Sequence, residues 1–163
     1  MRIKLINQDT LIVKEFKLKC CVGKNGISNN KIEGDKKTPS GKYNLGNLYW
    51  RSDRVKKPKT NLICKKISKS MGWCNDSNSQ FYNREIKIKK KIKHEKLYRF
   101  DFLYNYLIPI EYNYNTPKKK RGSAIFIHLT KNYKPTAGCI GLLKKDFLIL
   151  AKLINRKTKI VIY

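Results

Sequence analysis

The sequence has few acidic residues, few histidines and no long apolar run. Its 11 aspartates and glutamates stand against 38 lysines and arginines, and the chain holds only two histidines. No window approaches the roughly 18 apolar residues that a membrane-spanning helix needs. Residues 1–9 also lack the apolar stretch of a secretory signal. These absences predict a chain without a transmembrane segment, which is either cytoplasmic or exported by a signal that is missing or unusual.

The cysteines form no Cys-x-x-Cys pair, and neither histidine lies at metal-ligand spacing from a cysteine pair. Zinc sites are built from such clusters, so we expect no metal and no cofactor. An odd number of cysteines without regular spacing also argues against a disulfide framework. Free thiols are expected at all five positions, which are Cys20, Cys21, Cys64, Cys74 and Cys139.

The formal net charge is +27, which would draw polyanions such as nucleic acid, anionic lipid or an anionic cell-wall polymer to the surface. The lysines, however, lie along nearly the whole chain and often alternate with apolar residues. In residues 86–89, for example, a strand would point the lysines outward and the isoleucines inward. A solvated lysine-rich surface therefore explains the charge, which by itself identifies no partner.

The length and the hydrophobic content predict one folded domain. Hydrophobic residues make up 40% of the 163 residues, which is enough for a substantial core. No repeat or flexible linker divides the chain, so we expect a single domain over residues 1–163.

Apolar residues that alternate with charged ones indicate a mainly β protein. Strands are expected within residues 3–5, 11–13, 16–20, 43–51, 85–92, 103–112, 124–127 and 159–163. Leu143, Phe147, Leu150 and Ile154 lie at helical spacing and predict an amphipathic helix over residues 142–154. Long loops are expected at residues 23–42 and 113–122, and no element is assigned to residues 52–80.

The most distinctive local feature is His128, which follows a short apolar strand. A short polar loop separates it from a Thr-Ala-Gly-Cys segment. That segment contains Thr136, Gly138 and Cys139. A thiol beside an imidazole can become a usable thiolate, and nearby glycines let the backbone present N–H groups to an oxyanion. These parts suit acyl transfer. A single cysteine among glycines is more often a small buried residue, so the residues alone leave both interpretations open.

Several segments, in the same order, resemble the YkuD-type L,D-transpeptidases, in which a histidine precedes a Ser/Thr-x-Gly-Cys motif. Residues 123–142 resemble the active-site segment, and residues 26–43 resemble the family's segment around Gly-Asp and Thr-Pro-x-Gly. Similar groups also occur at residues 51–54, 73–76, 82–84 and 94–95. The resemblance covers about residues 20–163, and it implies an L,D-transpeptidase-like β-sandwich or barrel with a C-terminal helix.

The resemblance also implies a reaction on peptidoglycan stem peptides. Cys139 would attack the diaminopimelate carbonyl of a donor tetrapeptide at its L-centre and expel D-alanine. His128 would hold the thiolate and pass a proton to the leaving amine. Backbone N–H groups near Gly138 and Cys139 would stabilise the oxyanion.

Substrate contacts are expected from Thr136, Arg51, Arg54 and His94. A guanidinium fork suits bidentate binding of a carboxylate, so the two arginines are candidates for the stem-peptide carboxylates. An ordinary pair of surface arginines fits the sequence equally well. His94 belongs to a His-Glu pair that matches the family, and an exposed histidine is the alternative.

Two alternatives to a peptidoglycan enzyme stay open. Ala137 and Gly141 occupy positions where the commonest family motif has His or Asn and often Arg, so the chain could be an inactive cell-wall-binding relative. The basic pI, the lysines at 89–91 and the 10 tyrosines fit a nucleic-acid-binding module, although no RNP-like strand or helix-turn-helix spacing is present. The family implies a place in the periplasm or cell envelope, and we expect a monomer.

Overall fold

The structure is a computed structural model that describes residues 1–89 and 91–163. Lys90, the middle of the lysine run at 89–91, lies outside the described residues. The elements are, in chain order, β1 (Arg2–Ile6), β2 (Thr10–Val13), β3 (Phe16–Cys21), β4 (Ile27–Ser28), β5 (Thr38–Pro39), β6 (Gly41–Asn44), β7 (Leu48–Trp50), β8 (Cys64–Lys66), β9 (Met71–Cys74), β10 (Glu85–Lys87), β11 (His94–Lys96), β12 (Tyr106–Pro109), β13 (Phe126–Leu129), β14 (Ile140–Leu142), α1 (Lys144–Leu153) and β15 (Lys159–Ile162).

A curled ten-stranded sheet forms the frame of the protein, in the order β6-β15-β1-β2-β3-β14-β13-β12-β7-β8. Within it, β13 and β14 are parallel neighbours, with Ile127 opposite Ile140 and His128 opposite Gly141. The pairing places the His128 strand directly beside the strand that follows Cys139. The mainly β fold with one C-terminal helix confirms the predicted fold class.

Hydrophobic cores cover both faces of this sheet. Ile127 and Ile140 belong to the larger core, where Phe147 and Leu150 of α1 also pack. Phe126 belongs to the smaller core on the other face. Because successive strand residues point to opposite faces, His128 shares the face of Phe126 rather than that of Ile127.

The smaller core lies beneath a three-stranded sheet in the order β10-β9-β11. Trp73 of β9 packs edge-on against Phe126, with 5.2 Å between the ring centroids, and Tyr104 packs edge-on against the same ring at 5.8 Å. Cys139 belongs to this cluster as well. The strands that carry the candidate site are therefore fixed from both sides.

Several predicted boundaries differ from the observed ones. Residues 23–42, expected as a loop, contain β4 and β5, and residues 52–80 contain β8 and β9. These strands are two to four residues long and are held by backbone pairing, so they leave little side-chain pattern.

The segments predicted within 85–92 and 103–112 form shorter strands, and His128 lies inside β13 rather than after it. The predicted C-terminal helix is confirmed over Lys144–Leu153. Across the part of the chain that the structure describes, no helix is long and apolar enough to cross a membrane.

Candidate active site

A cavity of about 680 Å³ opens beside the smaller core. Cys139, His128 and Thr136 line it together. Its other walls include Lys31, Glu33, Glu95, Arg99, Asp101 and Tyr104. Among the described residues, no group of three His, Cys, Asp or Glu side chains is arranged to hold a metal ion.

The Cys139 thiol is almost fully enclosed, since the residue is 8% exposed. Its Sγ donates to the Ala124 carbonyl at 3.3 Å and accepts the Phe126 backbone N–H at 3.3 Å. Burial raises the pKa of the Cys139 thiol to about 12, although the Phe126 N–H and the charge of Lys31 act in the opposite direction. The thiol is therefore protonated at neutral pH before a substrate binds.

The His128 imidazole is oriented by a backbone carbonyl. Its Nδ1 lies 2.7 Å from the Leu129 carbonyl oxygen, which can only accept a hydrogen bond. Nδ1 therefore carries the hydrogen, and Nε2 is the nitrogen that can accept a proton. Burial lowers the pKa of His128 to about 4, so the imidazole is a neutral base at pH 7.

The loop before Cys139 is held by hydrogen bonds of Thr136. The Thr136 hydroxyl donates to the Cys139 carbonyl at 2.6 Å and accepts the Gly138 N–H at 3.0 Å. The hydroxyl thus orients the loop from inside the cavity wall. Because the Gly138 N–H points to Thr136 in this state, its predicted contact with an oxyanion stays a prediction.

Gly138 occupies a position that requires glycine. Its φ is +134°, and a Cβ built there would lie 2.8 Å from the Lys37 carbonyl oxygen. The Thr38 hydroxyl donates to the Gly138 carbonyl at 2.8 Å and accepts the Gly23 N–H at 2.9 Å. The Thr-Pro segment therefore packs directly against the backbone that presents Cys139.

A charged network forms the wall nearest His128. Arg99 pairs with Glu95 at 3.1 Å and with Asp101 at 2.5 Å. Tyr104 donates to Glu95 at 3.1 Å, and its ring lies 5.3 Å from the His128 ring. Of these residues, only Glu95 had a sequence signal, through the His-Glu pair. The spacing of the others matches no motif, so sequence reasoning missed them.

Three predicted substrate contacts lie elsewhere. Arg51 is 1% exposed, donates to both carboxylate oxygens of Asp53 at 2.8 and 2.7 Å, and donates to the Arg99 carbonyl at 2.6 Å. Arg54 donates to the Asp101 carbonyl at 2.8 Å. Both arginines therefore hold the backbone of the wall segment at residues 99–101.

His94 lies in β11, with Nδ1 2.6 Å from the Ile92 carbonyl. It does not line the cavity of Cys139, and neither do the two arginines. Cys139, His128 and Thr136 are thus brought together, while the substrate-binding roles of Arg51, Arg54 and His94 stay predictions.

The comparison with protein families agrees with this geometry. The model of the YkuD L,D-transpeptidase catalytic domain matches residues 2–162, nearly the whole chain. No curated protein and no solved structure gives a match. On the extent of the family match, this chain belongs to the YkuD family of L,D-transpeptidase catalytic domains.

Proposed function

We propose that this protein is a cysteine acyltransferase that acts on peptidoglycan stem peptides, with residues 1–163 as its single catalytic domain. The observation that carries the proposal is the placement of Cys139 and His128 in one cavity, with His128 on β13 and Cys139 immediately before the parallel neighbouring strand β14. Family membership supplies the substrate class.

The first half-reaction begins with a neutral thiol and a neutral imidazole. The Cys139 thiol gives its proton to Nε2 of His128 as Sγ bonds to the diaminopimelate carbonyl carbon at the L-centre. The carbonyl oxygen becomes an oxyanion, which backbone N–H groups near Gly138 and Cys139 stabilise. The Gly138 N–H must exchange the Thr136 hydroxyl for this oxyanion, since it donates to Thr136 in the free protein.

Collapse of the tetrahedral intermediate breaks the C–N bond, and His128 passes its proton to the departing D-alanine amine. The product is a thioester on Cys139. An amine of a second stem peptide then attacks the thioester carbon, His128 takes the proton of that amine, and the thiolate leaves. This step forms a new amide cross-link. Water in place of the amine gives a shortened tripeptide, which is L,D-carboxypeptidase activity.

Products formed from a purified disaccharide-tetrapeptide test the proposal. We expect mass spectrometry to find a cross-linked dimer, a tripeptide or both with the wild-type protein, and neither with Cys139→Ala. Cys64→Ala is the matched control, because Cys64 is a half-buried thiol on β8 outside the cavity. An unchanged tetrapeptide after incubation with folded wild-type protein would refute the proposal.

A further inference from the structure

A buried lysine stands beside the residue that precedes the candidate nucleophile. The side chain of Lys31 is only 3% exposed, yet Lys31 lines the cavity that holds Cys139. Its Nζ would lie 3.6 Å from a Cβ built on Gly138, and its Cε would lie 2.9 Å from a Cβ built on Gly122. The two glycines therefore leave the space through which the ammonium reaches the active-site loop.

The hydrogen bonds of this ammonium leave it able to bind a further anion. Nζ donates to Asp35 Oδ1 at 2.6 Å and more weakly to the Ile32 carbonyl at 3.4 Å. Within residues 1–89 and 91–163, the third Nζ hydrogen has no acceptor. Because Nζ faces the cavity, this hydrogen is available to water in the free protein and to an anionic ligand that displaces the water.

Asp35 positions the lysine and is itself well supported. Its carboxylate also accepts the backbone N–H groups of Ile32 at 2.8 Å and of Lys37 at 2.9 Å. The negative charge of Asp35 is therefore shared among three donors. Because Asp35 does not neutralise the Lys31 ammonium completely, the ammonium can still attract an anion in the cavity. Arg99 is a half-buried cation on the same cavity wall, but its guanidinium nitrogens donate to Glu95 and Asp101.

We propose that Lys31 binds the carboxylate next to the scissile amide, namely the α-carboxylate of the D-amino acid that leaves. The proposal rests on the proposed function, in which Cys139 attacks the amide of a terminal residue. That carboxylate is attached to the carbon beside the leaving nitrogen, so it must lie close to Sγ at the moment of attack. A fixed buried cation at this place restricts the enzyme to peptide ends with a free carboxylate.

Alkylation of Cys139 tests the proposal without any turnover of stem peptides. Iodoacetate carries a carboxylate beside its reacting carbon, and iodoacetamide is its neutral analogue. Both report on the same thiolate, so the ratio of their rates cancels the thiolate fraction and isolates the effect of the reagent's charge. Peptide mass spectrometry measures the ratio at Cys139 and at Cys64. Cys64 lies near the charge of Lys57, so its ratio shows the preference that ordinary lysine-rich surroundings give.

We expect the iodoacetate to iodoacetamide ratio to be higher at Cys139 than at Cys64, and to fall about tenfold or more at Cys139 in Lys31→Gln. Lys31→Gln removes the charge but keeps a donor for Asp35. Lys31→Arg should retain most of the preference. Lys131→Met, which removes an exposed cation from the same cavity, is the matched control and should change the ratio little.

Two outcomes overturn the proposal, and they differ in what else they refute. The proposal would be refuted by equal iodoacetate to iodoacetamide ratios at Cys139 in wild-type protein and in Lys31→Gln, provided that thermal unfolding shows both proteins to be folded. This result would leave the proposed function unaffected. A higher ratio at Cys139 than at Cys64, without any Cys139-dependent product from the disaccharide-tetrapeptide, would refute the proposed function and with it the leaving carboxylate as the ligand of Lys31. If Lys31→Gln does not fold, the wild-type comparison of Cys139 with Cys64 still decides, because equal ratios at the two thiols refute the proposal.

Discussion

Protonation of His128 links the candidate active site to the acid stability of the whole fold. Burial lowers the pKa of His128 from its ordinary value of 6.5 to about 4. The unfolded chain therefore binds a proton near pH 6.5, whereas the folded protein resists it until about pH 4. Between these values the unfolded state binds more protons, so stability falls as the pH falls. At about 1.4 kcal/mol per pKa unit, His128 should account for a loss of about 3 kcal/mol.

Urea unfolding of wild-type protein and His128→Asn at several pH values between 7 and 4 measures this effect. Other titrating groups contribute to both proteins, so the difference between their unfolding free energies isolates His128. We expect wild-type protein to lose about 3 kcal/mol relative to the variant across this range. His94→Asn serves as the matched control for removing a histidine. If the difference in unfolding free energy between wild-type protein and His128→Asn did not change with pH, His128 would not be a buried neutral imidazole.

Two further predictions concern the parts that support the site. Gly138→Ala should lower the unfolding free energy by about 3 kcal/mol or more, because its positive φ is strained for alanine and the new Cβ meets the Lys37 carbonyl. Gly34 also has a positive φ but has open space around it, so Gly34→Ala should lower the unfolding free energy by only about 1 kcal/mol. Equal losses for Gly138→Ala and Gly34→Ala would contradict the steric argument. Arg51→Met should cost about 2–3 kcal/mol through its lost buried hydrogen bonds, against under about 1 kcal/mol for the exposed Arg54→Met. Urea denaturation measures the unfolding free energy of both pairs of variants. A larger loss for Arg54→Met than for Arg51→Met would contradict the conclusion that buried hydrogen bonds of Arg51 hold the wall segment.

The sequence predicted the parts of the fold that carry a strong side-chain pattern. Strands β1 to β3 alternate apolar and charged residues, and α1 places its apolar residues on one face. The sequence also indicated that His128 and Cys139 could meet, because a strand end followed by a short loop can bring them together. In these cases the physical cause is local, so it can be seen without the tertiary structure.

The remaining features depend on contacts between distant segments. β8 and β9 carry Lys, Gly and Cys residues, and their backbone partners fix them, so no periodic pattern marks them. Arg51 is charged and was expected at a substrate contact or on the surface, but Asp53 and the Arg99 carbonyl allow its burial. The burial of Lys31 likewise requires Gly122 and Gly138, which approach it only after folding.

Intact-protein mass spectrometry of the acyl-enzyme tests the central claim most directly. The protein is mixed with a diaminopimelate-containing tetrapeptide and the reaction is quenched in acid within seconds. The mass of the intact protein is then measured, and peptide mapping locates any adduct. The account predicts an adduct equal to the donor minus D-alanine, located on Cys139, absent from Cys139→Ala and retained in Cys64→Ala. An adduct on another residue, or none on folded wild-type protein across a range of donor concentrations and times, would contradict the assignment of Cys139 as the nucleophile.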